Sequence, residues 1–66
     1  MNDTRNRIYD YIVDYVSINN YSPTIREICK GVNLKSTATV YNHLLLLEDM
    51  NMIRMEHNKV RGIRII

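Results

Sequence analysis

The stretch from Thr24 to about Met50 constrains this chain most, because it sets two helices end to end with almost no chain between them. Thr24-Ile25-Arg26-Glu27 has the pattern of a capping box, in which the threonine oxygen accepts from the Glu27 amide and the Glu27 carboxylate accepts from the threonine amide. Ile25, Ile28, Cys29 and Val32 follow on one helical face, so a short helix is expected over about Ile25 to Val32. Gly31 weakens its final turn, and Asn33 suits the left-handed geometry that ends helices. After Leu34-Lys35, Ser36 is a second N-cap and opens a longer helix to about Met50, with Val40, Leu44 and Leu47 as its buried stripe. A short capped helix, a tight turn and a longer helix have helix-turn-helix proportions.

The flanks complete an architecture. Ile8, Tyr11, Ile12, Tyr15 and Val16 recur at helical spacing and predict a first helix over about Thr4 to Asn19, capped by Thr4 or Asp3 and ended at Asn19-Asn20. Tyr21-Ser22-Pro23 is an extended connector, since the residue before a proline is steered away from helix. Beyond Met52 the texture changes: Met52 to Glu56 and Gly62 to Ile66 alternate with period two around a polar, basic loop, His57 to Arg61. The fold expected is mainly α with a small β-hairpin: three helices and a two-stranded antiparallel wing, a winged helix-turn-helix. It forms one domain over residues 1–66, with helices at about 4–19, 25–32 and 36–50 and the wing at about 52–66.

Several classes drop out. Cys29 is the sole cysteine, so no intrachain disulfide forms, and its distance in sequence from His43 and His57 gives no zinc spacing. The N-terminus is polar and the leucine run at 44–47 is one turn long, so neither a secretory signal nor a membrane span is expected. There is no glycine-rich phosphate loop and no pocket-forming length, so neither an enzyme nor a cofactor is expected; the lone cysteine and the polar N-terminus make a cytoplasmic setting the expectation. His43 falls beside the buried stripe, where packing or hydrogen bonding is its role, and His57 reads as a turn residue.

Charge supports a polyanion partner through its distribution rather than its net value of +2. The first twenty residues are slightly acidic. Arg26, Lys30 and Lys35 then face only Glu27 as far as Leu47, and Arg54, Lys59, Arg61 and Arg64 face only Glu56 after Met52.

If the third helix enters a major groove, its exposed face is Ser36, Thr37, Ala38, Thr39, Tyr41 and Asn42: hydroxyls, an amide, a methyl and no acid. Asn42 can pair with adenine, Thr39 or Ala38 can touch a thymine methyl, and Ser36 can serve a base edge or a phosphate. Lys35 and the helix N-terminus offer a phosphate site, while Lys59 and Arg61 at the hairpin tip can reach the backbone or a minor groove. Plainer readings stand beside these: Ser36 as a cap, Tyr41 as cover for the core edge, and a basic turn that keeps an edge strand soluble. Of Leu45 and Leu46, one is expected near solvent, either partly covered or as a self-association surface.

Tyr21-Ser22-Pro23-Thr24-Ile25-Arg26-Glu27-Ile28, Ser36 through His43-Leu44, and Arg61-Gly62-Ile63 together resemble the N-terminal DNA-binding domain of the LexA repressor family, over nearly the whole chain. The resemblance implies a winged helix-turn-helix that binds palindromic operators in double-stranded DNA as a dimer and represses SOS genes. It also implies base reading at Ser36, Ala38, Thr39, Tyr41 and Asn42, although members differ among themselves at Ala38, Tyr41 and Asn42, so no operator sequence follows. Members of that family continue into a self-cleaving serine–lysine domain that supplies most of the dimerisation. These 66 residues carry no such dyad context, so an excised fragment and a free-standing phage- or plasmid-type regulator with a non-SOS operator both remain open. A winged helix used for protein contact is the rival class. It would more often carry acidic or large apolar residues between Lys35 and Asn42.

Overall fold

A computed structural model describes residues 3–66. Its elements, in order, are α1 (Asp3–Asn19), α2 (Ile25–Gly31), α3 (Thr37–Asp49), β1 (Ile53–Met55) and β2 (Ile63–Ile65). The strands pair antiparallel, with Ile53 opposite Ile65, Arg54 opposite Arg64 and Met55 opposite Ile63. This is the winged helix-turn-helix expected from the sequence, with α1 one residue longer than expected and α2, α3 and the wing shorter where cap and strand-end residues fall outside them. At the N-terminus the expectation fails: Thr4 lies inside α1 rather than capping it, and the side chain of Asp3 lies outside the described residues.

Each helix stops at an asparagine in left-handed geometry: Asn20 at φ 64°, Asn33 at φ 59° and Asn51 at φ 61°. After α2 the Leu34 amide donates to the Cys29 carbonyl at 2.9 Å and the Asn33 amide to Lys30 at 3.3 Å. After α3 the Met52 amide donates to Leu47 and the Asn51 amide to Glu48, both at 3.0 Å. These are paired Schellman bonds that satisfy carbonyls the helix ends would leave bare. Because the turn is so tight, Leu34 and Met52 fold back against the core just past their helices.

Every element contributes to one core: Ile8 and Ile12 from α1, Ile28 and Cys29 from α2 with Val32 just beyond it, Val40, Leu44 and Leu47 from α3, and Ile53 and Ile63 from the wing. Fully burying an aliphatic side chain contributes about 1.5–3 kcal/mol, so this set is the main stabilising term in so short a chain. Arg7 adds a polar tie, donating from Nη2 to the Val32 carbonyl at the end of α2 at 2.7 Å.

Gly31 has a role that its helix propensity hides. A Cβ there would overlap the ring edge of Tyr11, so the ring packs this closely on α2 because the side chain is absent. Tyr11 in turn packs against Tyr15, with ring centres 5.9 Å apart, and Tyr15 meets Tyr21 edge-on at 5.8 Å.

Candidate nucleic-acid interface

The N-terminal half of α3 is set by the hydroxyl of Ser36, which accepts from the Thr39 amide at 3.3 Å and serves as the N-cap. Val40 is fully buried, and that anchor turns its neighbours outward. Lys35, Ser36, Thr37, Ala38, Thr39, Tyr41 and Asn42 are all exposed, and the first turn holds no acidic residue. The sequence therefore located one continuous exposed face correctly. It ends where Leu44 and Leu47 return to the core.

The brace behind that face is α2. Its capping box is complete: Thr24 Oγ1 accepts from the Glu27 amide at 3.1 Å, and Glu27 Oε1 accepts from the Thr24 amide at 2.8 Å. Ile28 and Val32 then meet Val40 and Leu44 in the core.

Tyr41 stands partly exposed beside the wing. It is 37% exposed, and its ring meets the ring of His57 in the wing edge-on, with centres 6.4 Å apart. His57 was read as a turn residue only; its contact with α3 had no signal in the sequence. His43 lies at the core margin as expected, although its buried Nδ1 has no hydrogen-bond partner.

Within the wing loop, Lys59 stays near solvent, 3.5 Å from the Glu56 carboxylate. Arg61, expected beside it as a phosphate contact, bends its guanidinium back onto the protein while its side chain stays 40% exposed. Its Nη1 donates to Glu27 Oε1 at 2.8 Å, to the Ser22 carbonyl at 2.9 Å and to the Tyr15 hydroxyl at 3.3 Å, and its Nη2 donates to Glu27 Oε2 at 3.2 Å. The guanidinium also sits 4.7 Å from the centre of the Tyr21 ring. Buried Ser22 closes the link by donating from Oγ to the Arg61 carbonyl at 2.8 Å. The Arg61 guanidinium, with help from the Thr24 amide, holds the Glu27 carboxyl at about 2, well below its usual range.

Gly62 makes this return possible. Its carbonyl accepts from the Glu56 amide at 2.8 Å, and a Cβ at Gly62 would overlap the Glu56 carbonyl oxygen. On the other wing face Arg54 and Arg64 stand directly opposite, an unfavourable pairing relieved where Glu56 reaches Arg64 at 3.5 Å.

One sequence expectation needs correction at the far end of α3. Both Leu45 and Leu46 are exposed, at 39% and 46%, rather than one of them.

Among the described residues no helix is long and apolar enough to cross a membrane. A family profile described as the LexA DNA binding domain matches residues 2–62. The LexA repressor of Clostridium novyi (strain NT) is 42% identical over 64 residues, covering 97% of this chain and 31% of the relative. The LexA repressor of Moorella thermoacetica is 42% identical over 59 residues, covering 89% of this chain and 29% of the relative. That of Clostridium perfringens (strain SM101) is 38% identical over 64 residues, covering 97% and 32%. The chain thus spans about a third of the length of the curated relatives it matches. With its capped helix pair, its wing and a match over nearly its whole length, this chain belongs to the LexA DNA-binding domain family.

Proposed function

We propose that this domain binds double-stranded DNA sequence-specifically and acts in the cytoplasm as a transcriptional repressor of the SOS type. One observation carries the reading. The face from Lys35 to Asn42 is exposed, polar and free of acidic groups, on a helix whose other side is locked into the core. Such a face can lie in a major groove without repelling phosphate. Asn42, Tyr41, Thr39 and Ala38 then meet base edges, while Lys35, Ser36 and Thr37 lie at the helix start, where backbone phosphate is accepted. Lys59 reaches the neighbouring backbone from the wing.

A single domain of this size covers one half-site, so two copies on a palindromic operator are the arrangement proposed. Leu45, Leu46 and Met50 leave apolar surface on the C-terminal half of α3, which supports contact between the copies.

Selection of preferred sites from a random duplex pool tests the reading. An enriched palindrome with half-sites one helical turn apart, or a multiple of it, is the expected result. A pool that stays random while the folded protein is retained at low salt would refute sequence-specific binding.

A further inference from the structure

The wing is too small to hold its own position. Its strands are three residues each, and an isolated two-stranded hairpin is marginal in water. Ile53 and Ile63 root the strands in the core, but residues 57–61 between them are exposed. Side chains tie this loop to the helices on both sides. On one side the His57 ring meets Tyr41 of α3. On the other, Arg61 grips Glu27, the Ser22 carbonyl and Tyr15, which belong to α2, the connector and α1.

Glu27 is also the residue that caps α2, and α2 braces α3. A continuous path of short contacts therefore runs from the wing loop, through one guanidinium, to the element that aims the exposed face of α3. We infer that Arg61 is a positioning residue for DNA binding. It fixes the wing loop, and Lys59 with it, relative to α3, and touches no phosphate itself. Nη1 is already committed to Glu27, the Ser22 carbonyl and Tyr15, so a phosphate that drew the guanidinium outward would compete with the bidentate Glu27 pair and uncover the Tyr21 ring. This inference rests on the DNA-binding reading for its consequence, but the mechanical link stands on the protein alone.

Two variants separate positioning from direct contact. Glu27→Gln keeps an oxygen to accept from the Thr24 amide, so the capping box survives while the charged pair is lost. Arg61→Lys keeps the positive charge but cannot reproduce the planar fork. If Arg61 positions the wing, amide hydrogen exchange in either variant accelerates at residues 57–60 and stays unchanged within α3. On a selected duplex, both variants lower the slope of log affinity against log salt by about 0.9, as Lys59→Ala does, so a fourfold rise in salt weakens binding about 3.5-fold less than in the unmodified protein. Adding Lys59→Ala to Glu27→Gln then produces no further change in slope.

Were Arg61 a phosphate contact, Glu27→Gln would free it and leave affinity equal or higher, and Arg61→Lys would retain the slope. Either result overturns the inference, as does unchanged exchange in the loop. Faster loop exchange in a protein that binds no duplex would instead sink the DNA-binding reading and leave the mechanical link intact.

Discussion

Replacing Gly62 by alanine tests the wing architecture at its least forgiving point. An added Cβ would overlap the Glu56 carbonyl oxygen and would lie 3.1 Å from the carbonyl carbon and 3.2 Å from the Glu56 Cβ. These are mainly backbone atoms across the hairpin, so no rotamer change relieves the overlap. The hairpin must open at the point where the Glu56 amide donates to the Gly62 carbonyl at 2.8 Å. Loss of that bond costs about 1 kcal/mol. Overpacking at a buried position costs about 1–3 kcal/mol more. Alanine recovers roughly 0.5–1 kcal/mol by restricting the unfolded chain. The net is a destabilisation of about 2 kcal/mol, which for a domain this small lowers Tm by roughly 8–16 °C. A domain of this length rarely holds more than about 3–5 kcal/mol in total, so the loss is plain in a urea titration followed by far-ultraviolet circular dichroism. A Gly62→Ala protein within about 0.5 kcal/mol of the unmodified one, the range of an ordinary surface change, would refute the steric argument.

Two further perturbations address other joints. The Glu27 carboxyl lies at about 2 in the fold against an ordinary value of 4.5, so its contribution to stability is complete above about 4.5 and is lost as pH falls towards 2. Acid unfolding curves of the unmodified protein and Glu27→Gln should therefore converge through that window, and curves that stay parallel would remove the pairing. At Asn33, φ 59° predicts that Asn33→Ala destabilises by roughly 1 kcal/mol while Asn33→Gly does not. Equal midpoints for the two variants in thermal denaturation would contradict the left-handed cap.

Much of the molecule was legible from local patterns. The capping box at Thr24, the cap at Ser36 and the asparagines that end the helices act over three or four residues, and a one-dimensional sequence displays that range directly. The stripe Val40, Leu44 and Leu47 follows from helical periodicity, and the exposed face is its complement. What escaped was long-range and polar. Nothing near Arg61 in the chain announces that its guanidinium reaches Glu27, 34 positions away, so its partners within the protein went unread. Arg7 reaching Val32 is of the same kind, at a separation of 25. Gly31 misled for a related reason. Helix propensity records what a glycine costs locally, whereas the benefit here is the room given to Tyr11 on another helix. The resemblance did mark the segments around Ser22, Glu27 and Arg61, and the structure gives those segments a common physical purpose in one polar network.

The central claim is that the exposed half of α3 reads bases. The most direct measurement compares the affinity of the unmodified protein and of Asn42→Ala for a selected duplex and for a scrambled one of equal length, across a salt series. The account predicts that Asn42→Ala loses roughly 1–3 kcal/mol, about 5- to 150-fold, on the selected duplex. Binding to the scrambled duplex and the salt slope should stay unchanged, because the phosphate contacts remain. An equal loss on both duplexes, or none on either, would contradict the assignment of this face to base recognition.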